Sequence, residues 1–128
     1  MSVVLGASAV LAILFEERGA EVATEAARGS MLSAVDLVEV GEKFARRTGS
    51  SEVVPELLEA LQGAIVPFDE EQARIADDLK NRVGKNDSLA DRACLALAAH
   101  TGSVCVTGDH KWAGFDVGVD IRFFREKR

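Results

Sequence analysis

The sequence lacks a hydrophobic run long enough to cross a membrane. Its longest strongly apolar stretch, residues 3–15, is too short to span a lipid bilayer. The basic segment that opens a secretory signal peptide is also missing from this stretch. We therefore expect a protein without a membrane segment, located in the cytoplasm.

Basic residues are also in short supply. The chain carries 15 Lys and Arg residues against 21 Asp and Glu residues, which gives a net charge of −6. Neutralisation of phosphates is the usual source of tight binding to nucleic acids, so charge alone disfavours that function. Any chemistry on a nucleic acid would therefore need the help of metal cations.

The sequence also lacks the motifs of cysteine-based metal sites and of several nucleotide-binding sites. Cys94 and Cys105 form no Cys-x-x-Cys motif, and no histidine lies close enough in sequence to complete a zinc site, so we predict two buried, reduced thiols. The patterns G-x-S-x-G, G-x-G-x-x-G and the P-loop are absent. Serine hydrolases, dinucleotide-binding enzymes and nucleoside triphosphatases therefore lose their support.

What the sequence does contain is typical of one globular α/β domain covering residues 1–128. Hydrophobic residues make up 48% of the chain, and there is no repeat, linker or low-complexity tract. Short apolar runs alternate with amphipathic stretches, which predicts a mostly parallel sheet covered on both faces. The predicted strands cover residues 3–5, 31–33, 64–68, 104–107 and 121–124, and the predicted helices cover 8–17, 20–28, 35–47, 51–62, 69–83 and 88–100.

Capping residues support these boundaries. Ser88 and Asp91 have the spacing of a capping box, and Asp69 precedes two glutamates that would fill the first turn of a helix. Gly102 follows the helix predicted to end near residue 100. Residues 81–87 are polar and contain glycine, so we predict an exposed loop there.

Three acids stand where a parallel sheet could bring them together. Glu39 lies in the helix after the second strand, Asp91 begins the last long helix, and Asp109 follows the strand at 104–107. Gly6 occupies a fourth such position, directly after the first strand. Carboxylates that converge repel one another unless a cation joins them, and their hard oxygen atoms suit Mg²⁺ or Mn²⁺. Attack of a metal-activated water on a phosphodiester is the reaction that such a site would perform.

Each acid also has a purely structural interpretation. Glu39 could form a surface ion pair with Lys43, four residues later. Asp91 could simply complete the cap of its helix with Ser88. Asp109 could be a turn residue or the cap of a short helix. Taken singly, the acids therefore define a site of low specificity.

Other polar and aromatic residues give weaker signals. We expect His100 to interact with free carbonyls at its helix end, and His110 to be a solvated neighbour of Asp109. Trp112 and Phe115 should pack under the last loop, although stacking on an RNA base is an alternative. Two groups of basic residues are either solvated or the best candidates for phosphate contacts; they are Lys43, Arg46 and Arg47, and the tail at 125–128.

The order of these residues resembles that of the PIN-domain ribonucleases, specifically the VapC toxins of VapBC toxin–antitoxin pairs. The resemblance rests on SLADRACLALAAHTGSVCVTGDHKW, together with SAVDLVEV and IVPFDEEQARIADDL, and covers nearly the whole chain. It implies a three-layer α/β/α domain with a central parallel sheet of about five strands, cleavage of RNA that depends on Mg²⁺ or Mn²⁺, inhibition by a VapB antitoxin, and a homodimer.

The resemblance also assigns roles to individual positions. Glu39, Asp91 and Asp109 match acids of the family's metal site, and Ser8 and Thr107 match hydroxyl residues that orient ligands or water. The family begins V-L-D-A-S-A, whereas this chain has V-L-G-A-S-A, so Gly6 stands where the first metal-binding Asp is expected.

The missing ligand leaves two functions open. The chain is either a VapC-like endoribonuclease with strongly reduced activity, or an inactive PIN scaffold that binds an antitoxin or RNA. A metal-dependent phosphohydrolase of small substrates would share the acids but would need a defined pocket, for which the sequence gives no sign. Because glycine adopts almost any backbone conformation, we expect the fold to tolerate Gly6.

Overall fold

A computed structural model describes residues 1–50, 52–84 and 86–128. The described chain contains a sheet of five strands and a set of helices on both of its faces. The strands are β1 (Val3–Leu5), β2 (Met31–Ser33), β3 (Ala64–Val66), β4 (Val104–Thr107) and β5 (Ile121–Phe123). The helices are α1 (Ala7–Leu14), α2 (Ala20–Ala27), α3 (Ala34–Thr48), α4 (Val53–Ala60), α5 (Glu70–Leu79) and α6 (Leu89–Thr101), followed by a 3₁₀ helix at His110–Gly114.

All neighbouring strands of the sheet are parallel, in the order β3-β2-β1-β4-β5. β1 is therefore the central strand. β2 and β3 lie on one side of it, and β4 and β5 lie on the other. This order creates a topological switch point between β1 and β4, where the helices that follow the two strands turn to opposite faces. Crevices at the carboxyl ends of such strands are the usual binding sites of open α/β sheets.

The hydrophobic core has two halves because alternate residues of β1 point to opposite faces of the sheet. Leu5 packs with a cluster that includes residues of α1, α2 and α4. Val4 packs with a second cluster that includes residues of α5 and α6 and the buried Trp112. Cys94 and Cys105 are free, buried thiols in this second cluster. The α/β fold predicted from the sequence is thus confirmed.

The predicted strands and helices agree with the structure in number and order but differ at their ends. β3 ends at Val66 rather than at residue 68, and β5 ends at Phe123 rather than at residue 124. The helix predicted at 51–62 ends at Ala60, because Gln62 has a φ of +56° that cannot continue a helix. Its predicted first residue, Ser51, lies outside the described residues. α5 ends four residues before the predicted end at 83.

The capping signals coincide with real helix ends. Asp69 accepts a hydrogen bond from the Gln72 amide at 2.9 Å, and Gly102 ends α6 in the left-handed conformation. The predicted loop at 81–87 is exposed at residues 81, 82, 84 and 86, whereas Asp87 is largely covered; residue 85 lies outside the described part. Within the described residues, none of the helices combines the length and the apolar character needed to traverse a bilayer.

Candidate active site

A pocket of about 290 Å³ opens at the switch point of the sheet. Gly6 follows β1 and Asp109 follows β4, so these two residues stand on either side of the crevice. Glu39 from α3 and Asp91 from α6 complete the lining. The structure thus brings all three predicted acids and the position of the missing fourth to one pocket.

Gly6 is the N-cap residue of α1 and has ordinary extended backbone angles, φ −75° and ψ 160°. Its amide donates to the Val106 carbonyl at 2.8 Å, which joins the end of β1 to β4. A Cβ atom at this position would lie 3.3 Å from that carbonyl oxygen and 3.5 Å from the Thr107 side chain. The site therefore has room for a side chain after a small adjustment, and the backbone does not require glycine.

Hydroxyl groups fix the loop that carries Asp109. The Asp109 amide donates to Thr107 Oγ1 at 3.1 Å, and the Gly108 amide donates to Ser8 Oγ at 2.9 Å. The two hydroxyl oxygens are themselves 3.2 Å apart. Ser8 on α1 and Thr107 on β4 thus hold the backbone beside the pocket from two different elements.

Asp109 and Glu39 both make the contacts that their structural interpretations predicted. Asp109 caps the 3₁₀ helix by accepting from the Lys111 amide at 3.1 Å. Glu39 Oε1 lies 3.3 Å from Lys43 Nζ, one turn later on α3. Capping and ion pairing therefore coexist with a place in the pocket.

Asp91 likewise caps a helix and lines the pocket. Its carboxylate accepts from the Ser88 amide at 3.0 Å, and the Asp91 amide donates to Ser88 Oγ at 3.1 Å, which completes a capping box. Burial raises the pKa of Asp91, and the charges of Glu39 and Asp87 raise it further, against the opposing hydrogen bond from Ser88. Asp91 is therefore the carboxyl group of the pocket that is costly to ionise when no cation is present.

The sequence analysis missed two charged residues beside the pocket. Lys111 Nζ lies 3.4 Å from Asp109 and 3.8 Å from Asp87, and these acids, Asp109 foremost, raise the pKa of Lys111. The Asp87 side chain is only 2% exposed. Asp87 stands four residues before Asp91 in a segment that we predicted to be exposed, so the sequence offered no signal for its burial.

Asp36 on α3 was also missed. It is 1% exposed, and its Oδ2 atom has no hydrogen-bond partner among the described residues. Burial raises the pKa of Asp36 well above its usual value, and the nearby charges of Glu39 and Asp91 add to this effect. The spacing of three residues from Glu39 places both acids on one side of α3, which is a signal that the sequence did contain.

The basic residues singled out from the sequence lie next to this pocket. Lys43 lines both it and a neighbouring cavity of about 380 Å³, which Arg46 and Arg47 also line. The Arg47 guanidinium stacks over the Phe15 ring at 3.6 Å from its centroid. The Arg47 side chain therefore packs on an aromatic ring instead of being surrounded by solvent alone.

The histidines differ from their predicted environments. His110 is half-buried: its Nε2 lies 2.7 Å from the Arg125 carbonyl oxygen, and its ring stacks on Phe123 with centroids 4.1 Å apart. His100 lies 3.4 Å from Glu71 of α5, a partner that the sequence did not indicate. Trp112 is buried and stacks on Phe115, as expected for packing under the last loop.

The comparison with protein families agrees with this architecture. The PIN domain family matches residues 3–117, which is most of the chain and includes every residue of the pocket. The chain belongs to the PIN domain family. A search by sequence among curated proteins finds no significant match.

Solved structures with the same fold include proteins of toxin–antitoxin complexes. A toxin–antitoxin complex from Klebsiella pneumoniae matches with a TM-score of 0.73 and 18% identity, over 98% of this chain and 99% of the other. VapBC2 from Rickettsia felis, bound to a DNA fragment from its promoter, matches with a TM-score of 0.71 and 16% identity, over 96% and 98%. FitAcB from Neisseria gonorrhoeae matches with a TM-score of 0.62 and 19% identity, over 93% and 95%.

The PIN domain's acidic residues fit a divalent cation in their chemistry. Glu39, Asp91 and Asp109 supply carboxylate oxygens, and buried oxygens of Asp36 and Asp87 lack hydrogen-bond partners in the described part of the chain. Their spacing, however, is incomplete: within residues 1–50, 52–84 and 86–128, no three Asp, Glu, His or Cys side chains are placed to hold one ion. Glu39, Asp91 and Asp109 thus share a pocket, but their positions in the described structure do not form a metal-binding cluster.

Proposed function

We propose that this PIN domain is the toxin of a VapBC-type toxin–antitoxin pair, an endoribonuclease whose activity is strongly reduced by Gly6. The observation that carries the proposal is the pocket shared by Gly6, Glu39, Asp91 and Asp109 at the carboxyl edge of the sheet. PIN domains are generally nucleases, and this pocket has the acids that nuclease chemistry uses. The toxin–antitoxin complexes among the solved structures support the choice of partner.

The proposed cofactor is Mg²⁺ or Mn²⁺, held by Glu39, Asp91 and Asp109. When bound, the cation would supply an activated water for attack on a phosphodiester of RNA. Ser8 and Thr107 orient Asp109 through the hydrogen bonds to the loop that carries it. Ser8 and Thr107 thus position the proposed metal ligand Asp109 and do not themselves contact the substrate.

Gly6 reduces activity because it removes one negative charge and one oxygen ligand. Loss of a group that merely orients a ligand typically costs 10- to 100-fold in metal affinity or activity, so loss of a ligand itself should cost on the order of 100-fold or more. The two lysines next to the pocket add to this effect, since Lys43 and Lys111 already neutralise Glu39 and Asp109.

The test restores the missing carboxylate. We expect Gly6→Asp to cleave total cellular RNA in Mg²⁺ or Mn²⁺ at least about 100-fold faster than the original chain, and a chelator to stop the reaction. Adding Asp91→Asn to Gly6→Asp should abolish cleavage by removing a further ligand charge. Equal rates for the original chain and Gly6→Asp would contradict the role of Gly6.

The second candidate function is an inactive PIN scaffold that binds an antitoxin or RNA. The ion pairs of Lys43 and Lys111 favour it, because they neutralise two of the three acids without a metal. A Gly6→Asp variant that binds Mn²⁺ but cuts no RNA would support this function over the nuclease.

The proposed partners are a VapB-like antitoxin, an RNA substrate and a second copy of the chain in a homodimer, all in the cytoplasm. Val38 and Leu89 are 59% and 52% exposed, and they line one groove of about 440 Å³ that suits a protein contact. An adjacent short reading frame for a VapB-like protein would be the simplest support for the antitoxin.

A further inference from the structure

A cavity of about 540 Å³ lies beside the acidic pocket, and Asp109 lines both. It lies between the end of α1 and the segment that follows β5. Four of its lining residues are basic and three are acidic, so its net charge is positive in a chain whose net charge is −6. The basic residues are Arg18, Arg125, Lys127 and Arg128.

Arg125 is the fixed element of this cavity. Its Nη1 atom lies 3.2 Å from Glu17 Oε1 and 3.5 Å from the Arg18 carbonyl oxygen, and its guanidinium lies 4.9 Å from the centre of the Phe124 ring. The side chain is only 24% exposed. The guanidinium is thus held in one place by contacts that leave part of its five N–H donors for a ligand.

The loop that carries Asp109 fits closely around this arginine. A Cβ atom on Gly108 would lie 2.9 Å from Arg125 Nε and 2.8 Å from the Phe124 ring, so a larger residue would require these side chains to shift. His110 contributes its hydrogen bond to the Arg125 carbonyl. The arginine is therefore anchored through both its side chain and its backbone, directly beside the acidic pocket.

A second basic cavity adjoins the acidic pocket and shares Lys43 with it. The cavity of Lys43, Arg46 and Arg47 contains a single acid, Glu17, which also lines the cavity of Arg125. Two basic cavities that each adjoin the acidic pocket could hold phosphates next to one that lies at the acids. One phosphate would lie near the acids and its neighbours near the basic groups.

We propose that the cavity around Arg125 binds a backbone phosphate of RNA that neighbours the phosphodiester at the acidic pocket. Arg125 supplies the fixed contact, and the exposed residues Arg18 and Lys127 add positive charge to the same cavity. This inference rests on the proposed function, because it takes RNA as the ligand. A planar guanidinium matches the geometry of phosphate oxygens, which favours this ligand over a hydrophobic peptide.

Binding of a fluorescein-labelled single-stranded RNA to the full chain, measured by anisotropy in EDTA, tests the inference without cleavage. The double variant Arg18→Ala/Lys127→Ala should bind on the order of tenfold more weakly and show a smaller salt dependence, since each lost phosphate contact lowers the slope by roughly 0.7. The matched control Arg74→Ala/Lys80→Ala removes the same charge from α5 and the residue that caps its end, where both residues form exposed ion pairs. The control should bind RNA with an affinity close to that of the original chain.

A conservative variant excludes a purely structural effect. Arg18→Lys/Lys127→Arg keeps the charge and should retain affinity, while circular dichroism verifies that all variants are folded. Equal losses in the test and control variants would overturn the inference, as would no RNA binding by the original chain. A preference for poly-glutamate over RNA would also overturn it by marking the cavity as a protein-binding site.

The outcome is separable from that of the proposed function. If Gly6→Asp fails to cleave RNA but the Arg18→Ala/Lys127→Ala variant still loses RNA binding selectively, the nuclease proposal fails and the phosphate site stands. If Gly6→Asp cleaves RNA and the double variant binds it normally, the nuclease proposal stands and the phosphate site fails.

Discussion

At the scale of single residues, Gly6 stands out because nothing in the backbone requires it. Its φ of −75° is open to every residue, and the nearest atom to an added Cβ is a carbonyl oxygen at 3.3 Å. Aspartate is moreover a better N-cap residue than glycine, because its carboxylate accepts hydrogen bonds from the first turn of a helix. The backbone of the fold therefore gives no reason for a glycine at this position.

Asp36 gives the opposite case, a charged residue where folding disfavours one. The folded state holds its proton more tightly than the unfolded state, so the stability that this proton provides is present at low pH and is lost as the pH rises through the raised pKa. We expect Asp36→Asn to increase the free energy of unfolding by about 1–3 kcal/mol at pH 8 and by less at pH 4. Urea denaturation at both pH values measures the difference.

Burial, more than the neighbouring charges, sets the sign of this effect on the pKa of Asp36. Glu39 and Asp91 both raise the pKa, and burial is the largest cause. Asp78→Asn serves as the control, because Asp78 forms an exposed ion pair with Arg82 and should change stability little at either pH. A loss of stability in Asp36→Asn at pH 8 would show that the ionised carboxylate has a partner that the present contacts do not include.

At the scale of helices and strands, local sequence determined much of the structure. β1, β2 and β4 cover the predicted residues, because short apolar runs between polar segments have few other ways to be buried. Helix ends were predicted less well, as at α5, which stops at Leu79 although the amphipathic pattern extends to residue 83. Asp69, Ser88 and Gly102 were informative because capping is a local interaction.

The pocket shows the same division between local and distant information. Glu39, Asp91 and Asp109 could be proposed from their positions after strands and at helix starts. The ion pair of Lys111 with Asp87 could not be predicted from the sequence. It joins segments 24 residues apart, and their approach depends on the whole fold. Arg125 was likewise placed beside Asp109 only by the pairing of β4 with β5.

The capping box of α6 provides a test at the scale of one helix. Ser88→Ala removes the acceptor of the Asp91 amide, so it should lower the free energy of unfolding by about 1 kcal/mol. Ser88→Thr keeps a hydroxyl group at the N-cap and should retain most of the stability. Thermal denaturation of the two variants and the original chain distinguishes these outcomes; equal losses for Ala and Thr would point to packing rather than capping.

At the scale of the whole molecule, the order of the strands explains why acids distant in sequence meet. β1 lies at the centre of the sheet, and the switch point beside it gathers the residues after β1 and β4, to which α3 and α6 add theirs. The result is a cluster of three acids at one edge of the sheet, two of which form ion pairs with Lys43 and Lys111. Two basic cavities adjoin this edge, so acidic and basic side chains lie next to each other there.

The same charge predicts how the proposed antitoxin binds. A basic side chain of a VapB-like protein that enters the acidic pocket would form charge-assisted hydrogen bonds with the carboxylates, whether or not residue 6 is an Asp. We therefore expect the original chain and Gly6→Asp to bind the antitoxin with similar affinity, measured by isothermal titration calorimetry. Glu39→Gln/Asp109→Asn should weaken binding on the order of tenfold and reduce its dependence on salt.

A control separates the pocket from the overall charge of the protein. Glu25→Gln/Asp77→Asn removes the same charge from exposed ion pairs on α2 and α5, outside the pocket, and should leave antitoxin affinity nearly unchanged at physiological salt. If test and control variants weaken binding equally, the antitoxin responds to net charge and not to the acids at the switch point. If a folded chain with either residue at position 6 ignores a VapB-like protein encoded beside it, the proposed partnership itself is wrong, because the attraction that should survive the loss of catalysis would be absent.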